Sequence, residues 1–280
     1  GSPTNAIAAG IIERATGLQI DFLTWAIYGL PLVLVSIPLC WLILLKVQRV
    51  RPQDFDGEAA RAGIGEACPW TTAEKRLVPL VAAVVVAWVL VPFLSPLLPE
   101  DALTDGTVAI FGALLLFVIP DGTGRALLNW DEGNRAPWGV IMMFGGGLAL
   151  AAGITESGLA AWLGTALQPL STVPPIIVAL VLVALVILVT EFASNVATAS
   201  GIIPVVGSLV LATGADPILL ALPAAMAASW GFMLPSGTGP NAIAWATGHI
   251  ALPRMLTAGL LLDLAGIPIM VGIVWAVAAL

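Results

Sequence analysis

Long apolar runs separated by short polar stretches set the pattern of this chain. Residues 23–45 are apolar nearly throughout. At ~1.5 Å of rise per helical residue, such a run crosses a ~30 Å hydrocarbon layer with some tilt. Residues 77–98 and 103–120 form two further spans, joined by the acidic turn Pro99-Glu100-Asp101. Charge returns over residues 121–135, and residues 138–167 make the next crossing. Within it Gly145-Gly146-Gly147 and Gly153 predict a helix that bends or breaks.

After Pro174-Pro175 the chain is apolar over residues 176–211 except for a polar knot near the middle, Thr190-Glu191-Phe192-Ala193-Ser194-Asn195. Neither half is followed by a charged loop on the far side, so a re-entrant helical hairpin with its tip at Ser194-Asn195 fits better than two full spans. A broken helix follows over residues 217–249. Its first part is expected to run to Met233, and Leu234-Pro235-Ser236-Gly237-Thr238-Gly239-Pro240-Asn241 is too rich in Gly and Pro to stay helical. Residues 255–280 form the last span.

Composition turns this pattern into a solvent assignment. Hydrophobic residues make up 59% of the 280 and charged residues only 10%, against about 25% charged in a typical soluble domain; mean hydropathy is +1.04. The expected class is an all-α polytopic membrane protein, with the lipid bilayer as its main partner. The formal charge of -7 says less than the placement of the basic residues. Lys46, Arg49, Arg51, Arg61, Lys75 and Arg76 crowd the loop 46–76, which the positive-inside tendency assigns to the cytoplasm. Alternating the crossings puts Arg125, Arg135 and Arg254 on that same side, as expected of a multi-pass protein of the inner (plasma) membrane. No nucleic-acid footprint remains. Cys40 and Cys68 have neither metal spacing nor a disulfide geometry and read as incidental thiols.

The chain resembles itself. Around a shared Asn-Ala-Ile, residues 1–8 match residues 238–244, and Gly29-Leu30 with Ile37-Pro38 recur at the spacing of Gly259-Leu260 with Ile267-Pro268. In the topology above, the span 23–45 and its counterpart 255–280 run in opposite directions. The repeat is therefore inverted, which is the architecture of alternating-access secondary transporters with substrate held where broken helices meet. Residues 1–45 are the end of the first repeat and 77–280 the second. The first copy begins at its break, so the expectation is an N-terminally truncated carrier.

Broken backbone at membrane depth leaves N–H and C=O groups without intrahelical partners, a cost of several kcal/mol each unless they line a cavity or bind something. Freed carbonyls with the side-chain oxygens of Thr190, Ser194 and Asn195 suit a hard monovalent cation. Helix N-termini with Asn and Thr donors suit a carboxylate. The spans hold no interior Lys or Arg, so an anionic substrate needs co-bound cations to neutralise it, which is a physical reason for sodium coupling. No nucleophile–base pair, metal cluster or phosphate loop points to an enzyme.

Three segments together resemble a known family. Thr-Glu-Phe-Ala-Ser-Asn-Val-Ala-Thr (190–198) is similar to the hairpin-tip signature of the divalent-anion/sodium symporters. Pro137-Trp138-Gly139 with Phe144-Gly145-Gly146-Gly147-Leu148-Ala149-Leu150 is similar to a second conserved segment of theirs, and Met233-Leu234-Pro235 through Pro240-Asn241-Ala242 to their second broken helix. The resemblance covers nearly the whole chain and implies sodium-coupled transport of small di- or tricarboxylates, such as succinate, malate or fumarate, by a homodimer. It places sodium on Thr190, Ala193, Asn195 and Gly237, and the substrate carboxylate on Asn195 and Thr238. Gly1 and Ser2 match the equivalent loop of the first repeat, which serves the other sodium and the other carboxylate. Val196 stands where many members have Thr, and Gly239 where Pro is frequent, so both bear on substrate choice.

Other polar residues read more plainly. Glu191 is expected to be an intramembrane carboxylate held by hairpin donors rather than a proton or cation ligand, and His249 a capping or interfacial residue. The glycine triplet at 145–147 is expected to permit close helix packing. Two alternatives stay open beside sodium symport: a sodium-independent dicarboxylate exchanger of the same family, and a non-transporting half-carrier or scaffold.

Overall fold

The computed structural model describes residues 3–49, 57–58, 69–99, 102–136, 138–159, 162, 165–166 and 168–280. The chain divides into two compact units, one made of Gly1–Ile20, Ile27–Val50 and Gly139–Leu280, the other of Asp21–Ala26 and Arg51–Trp138. Among the described residues every regular element of any length is helical: α1 (Pro3–Thr16), α2 (Phe22–Gln48), α3 (Thr72–Leu94), α4 (Asp105–Val118), α5 (Trp130–Gly133), α6 (Trp138–Glu156), α7 (Pro175–Phe192), α8 (Asn195–Thr213), α9 (Pro217–Ala227), α10 (Gly239–Ala246) and α11 (Leu252–Ala278). Among the described residues, α2, α3, α7, α8 and α11 are long and apolar enough to cross a membrane.

In the second unit α3 and α4 pack against each other. A side chain at Gly112 would meet Val84 Cγ2 at 2.6 Å, so the missing Cβ sets their separation. Both helices start on capping boxes, Thr71 with Glu74 and Thr104 with Thr107, which satisfy N–H groups that a helix start leaves open. The Arg76 guanidinium donates to the Pro120 carbonyl at 2.6 Å. The start of α3 and the end of α4 therefore share one end, where Arg125 also pairs with Glu132 at 2.6 Å. Most large apolar side chains here face outward, Phe111 with 65% of its surface exposed. In water that face would be an aggregation patch, whereas in lipid it is ordinary surface.

The first unit buries its core around α9, where every residue from Leu220 to Ala228 is buried. Helices α1, α7, α8 and α11 pack on it. Helix α1 offers Thr4, Ile7, Ala8, Ile11 and Ile12, a single stripe at helical spacing. Its closest approach is to α8, where a side chain at Gly207 would meet Ala15 Cβ at 2.5 Å. Helix α8 ends on Gly214, whose φ of 65° is the left-handed cap that glycine takes without strain. At one end of this unit Arg254 Nη1, near the start of α11, donates to the Gln48 carbonyl at the end of α2 at 3.4 Å.

Three sequence expectations need correction. The helix beginning at Pro217 stops at Ala227, not Met233. Pro235 was the visible breaker, but the amides of residues 232–234 are drawn to a carboxylate from another helix, which ends the helical ladder earlier. Helix α6 continues unbroken through Gly145-Gly146-Gly147 and Gly153 and ends at Glu156, ahead of Gly158 with its φ of 79°. In an apolar medium the intrahelical hydrogen bonds outweigh glycine's backbone entropy. No described atom lies within 4 Å of a Cβ placed at Gly145 or Gly146, so close packing there is not observed.

Candidate functional site

Two interruptions of helical backbone lie in the first unit: Ala193-Ser194 between α7 and α8, and residues 228–238 between α9 and α10. The end of α7 joins them. Thr190 is fully buried, and its hydroxyl lies 2.9 Å from both the Ala228 carbonyl and Asn195 Oδ1. A hydroxyl has one proton and donates to one of them at a time. The side chain of the first interruption and the backbone of the second thus share one oxygen.

Glu191 is 2% exposed and makes the stronger link. Its Oε1 accepts from the Phe232 and Met233 amides at 2.6 and 2.9 Å, and its Oε2 from the Leu234 amide at 2.9 Å. Three charge-assisted bonds satisfy an anion that burial would otherwise penalise heavily. The carboxylate is held by donors as expected, but they belong to the second interruption and not to the hairpin.

The glycines of that interruption let the backbones touch. A Cβ at Gly231 would lie 3.4 Å from Thr190 Cγ2 and 3.6 Å from Glu191 Oε1; one at Gly237 would lie 3.4 Å from the Glu191 carbonyl oxygen. Farther along, Gly259 of α11 is a notch in which a side chain would overlap the backbone of Phe232 and Met233. A side chain at Gly266 would overlap the Trp230 indole, which donates to the Leu262 carbonyl at 3.2 Å.

Of the residues expected to hold sodium, Thr190 and Asn195 meet through their side chains, and Gly237 is buried against residue 191. Ala193 caps α7 by donating to the Val189 carbonyl at 2.9 Å. Of those expected to bind the carboxylate, Thr238 caps α10 by accepting from the Asn241 amide at 3.2 Å. Val196 is half-buried in the first turn of α8, and Gly239 is exposed with open space where a Cβ would be. Gly1 and Ser2 lie outside the described residues, as do Pro137 and Cys68. His249 is exposed beside the end of α10, its amide donating to Thr247 Oγ1 at 3.3 Å.

Sequence reasoning missed three participants. The Asn241 side-chain amide donates to the Gly231 and Leu234 carbonyls at 3.1 and 3.2 Å, folding the second interruption back on α10. The Ser229 hydroxyl donates to Asn5 Oδ1 at 2.9 Å, tying α1 to the same stretch. Asp263 lies buried in α11, which packs on α7. The signal was available at three residues: Asn5 and Asn241 each open an Asn-Ala-Ile tripeptide, and Asp263 is the lone acid of an otherwise apolar span.

Facing helix breaks inside a bundle of apolar helices, lined by hydroxyl, amide and carbonyl groups, are the mark of a membrane carrier and not of an enzyme. The comparison with known proteins agrees. Residues 1–279 match the transmembrane region of the sodium:sulfate symporters, and the chain belongs to that family of divalent-anion/sodium symporters. It is a multi-pass protein of the plasma membrane. It is 36% identical to the sodium-dependent dicarboxylate transporter SdcS of Staphylococcus saprophyticus over 98% of this chain and 54% of that protein. With the SdcS protein of Staphylococcus aureus strain USA300 it shares 37% identity over the same fractions. The chain spans about half the length of these relatives.

Proposed function

We propose that this chain carries out sodium-coupled transport of small dicarboxylates by alternating access, as a homodimer built on an inverted repeat. The observation that carries the proposal is the meeting of the two helix breaks at Thr190 and Glu191. Helices α7 to α10 contain no Lys or Arg, so an anion entering here has only helix N-termini, amides and co-bound cations to balance its charge. The oxygens present, from the Thr190 hydroxyl, the Asn195 side chain and the carbonyls about Ala193 and Gly237, are the hard donors that sodium takes. The substrate carboxylate falls to Asn195 and Thr238 at the starts of α8 and α10, with Val196 and Gly239 shaping selectivity and Ser2 and Gly1 serving a second, equivalent site. The relatives named as sodium-dependent dicarboxylate transporters support the same reading.

The test is succinate uptake into proteoliposomes carrying the protein, with sodium outside. Asn195→Ala removes a side chain shared by cation and substrate and is expected to abolish uptake; full uptake by that variant would refute the site. Replacing sodium by choline is expected to abolish wild-type uptake, and persistence would identify an exchanger instead.

A further inference from the structure

Ser229 uses its hydroxyl differently from other hydroxyls near it in type and setting. Ser36, Ser208, Thr213 and Thr257 each donate to the carbonyl four residues earlier, the usual bond of a helical Ser or Thr. The Ser229 hydroxyl, just past the end of α9, reaches Asn5 Oδ1 at 2.9 Å instead, across 224 residues of sequence. Both residues are half-buried and lie in the first unit.

This bond is not what fastens α1 in place. Ile7, Ala8, Ile11 and Ile12 are each at most 1% exposed, and the helix packs on α8 and α9. Their burial outweighs one neutral hydrogen bond severalfold. Apolar burial is non-directional, however, whereas a hydrogen bond weakens steeply with distance and angle. The Ser229–Asn5 bond therefore sets where the start of α1 stands against the second interruption, more than whether it stands there.

The stretch held in this way belongs to the proposed site. One residue before Ser229, the Ala228 carbonyl lies 2.9 Å from the Thr190 hydroxyl. A little further on, the Asn241 side chain donates to the Gly231 and Leu234 carbonyls at 3.1 and 3.2 Å. Asn5 and Asn241 each open an Asn-Ala-Ile tripeptide, so both copies of the sequence repeat send an asparagine to the same short stretch. Asn241 closes the interruption on its own helix; Asn5 joins it to another. Asn5 also follows Gly1 and Ser2, proposed above to serve a second site, by four and three residues.

We propose that Asn5 and Ser229 are positioning residues that couple the two cation sites of the carrier. The bond between them sets the start of α1 against residues 228–238, so that sodium held at Thr190, Asn195 and Gly237 favours sodium at the start of α1, and the reverse. Such coupling is reciprocal, and a single neutral hydrogen bond limits it to roughly two- to tenfold in affinity. Neither residue is assigned to sodium or substrate. The coupling rests on the function proposed above.

The sodium dependence of succinate uptake into proteoliposomes reads the coupling. Ser229→Ala is expected to raise the sodium concentration for half-maximal uptake by roughly two- to tenfold and to flatten the response towards a simple hyperbola, with a deficit that shrinks as sodium is raised. Ser229→Thr keeps the hydroxyl and is expected to restore both. A merely structural contact, when lost, lowers the amount of active protein but leaves half-saturation and steepness where they were; that result overturns the proposal. In an Asn5→Ala background Ser229→Ala is expected to add nothing, whereas additive effects mean that the two residues act separately and overturn it as well. Should Ser229→Ala fail to fold, Asn5→Ala takes its place in the first measurement with the same two outcomes. A wild type whose uptake ignores sodium refutes the function proposed above and the coupling with it. Sodium-dependent uptake whose response keeps its shape in Ser229→Ala refutes the coupling alone.

Discussion

Between α7 and α8 the chain leaves the helix for two residues, and the partners it needs lie close by in sequence. Ala193 donates to the carbonyl of Val189, and Ser194 Oγ accepts from the amide of Ala197. Between α9 and α10, residues 228–238 behave differently. Their amides reach Glu191 at the end of another helix, and their carbonyls reach the side chain of Asn241 and the hydroxyl of Thr190. The first interruption is closed by its own neighbours, the second by groups brought to it by the fold. Damage to the second must therefore spread through the unit, whereas damage to the first stays local.

Glu191→Ala is the sharpest way to break that contrast. It leaves three part-buried amides without an acceptor, at up to about 1–3 kcal/mol each, and is expected to cost more thermal stability than Gly259→Ala or Ser194→Ala. Hydrogen exchange should show residues 232–234 losing protection while residues 195–200 keep theirs. Equal loss at both places would mean that the two interruptions are not held separately. Glu191→Gln retains one acceptor oxygen and should fall between wild type and Ala, because its amide nitrogen faces donors and not acceptors.

Gly259→Ala attacks the same stretch from the opposite side. The added methyl group overlaps the backbone of Phe232 and Met233, and overpacking of this kind costs typically 1–3 kcal/mol. Residues 230–234 should exchange faster and the unfolding midpoint should drop. The control is Gly145→Ala, which meets open space and should leave both unchanged. A destabilised Gly145→Ala with a neutral Gly259→Ala would reverse the packing described here.

Ser194→Ala tests the locally closed interruption and should cost less, about 1 kcal/mol for a lost helix N-cap. Its effect on exchange should be confined to the first turn of α8. Faster exchange at residues 232–234 in this variant would show that the tip supports the second interruption as well.

How much of this was legible in the sequence follows the same division. The tip at Ser194-Asn195 could be located because Ser is a helix cap and the polar knot interrupts an apolar run, both of which are local signals. The apolar runs likewise located α2, α3 and α11, since lipid as solvent leaves its mark on every residue. The early end of α9 could not be read, because its cause, the Glu191 carboxylate, lies 41 residues upstream of the first amide it captures. The unbroken course of α6 through its glycines was missed for a related reason: glycine weakens a helix in water, but a membrane removes the competing solvent. Asp263 shows the same limit. Its residue type marked it, yet only the packing of α11 on α7 shows that it is buried.

The smallest expected effect lies in the second unit, where the charges are exposed. Hydrogen bonding to Arg125 holds the Glu132 carboxyl below the usual carboxylate range, and the amide of Thr123 does the same for Asp121. A carboxyl with a lowered folded-state pKa stabilises the fold at pH values above its unfolded-state range, and that contribution disappears as the pH falls through the lower folded range. Glu132→Gln should therefore be marginally less stable than wild type at neutral pH and indistinguishable from it once the Glu132 carboxyl is protonated in the wild type. Because Arg125 and Glu132 are both solvent-exposed, raising the salt concentration at neutral pH should shrink the difference further. Thermal unfolding of the two proteins across an acid titration measures it. A gap that widens on acidification would mean that Glu132 serves the fold through a contact other than this ion pair.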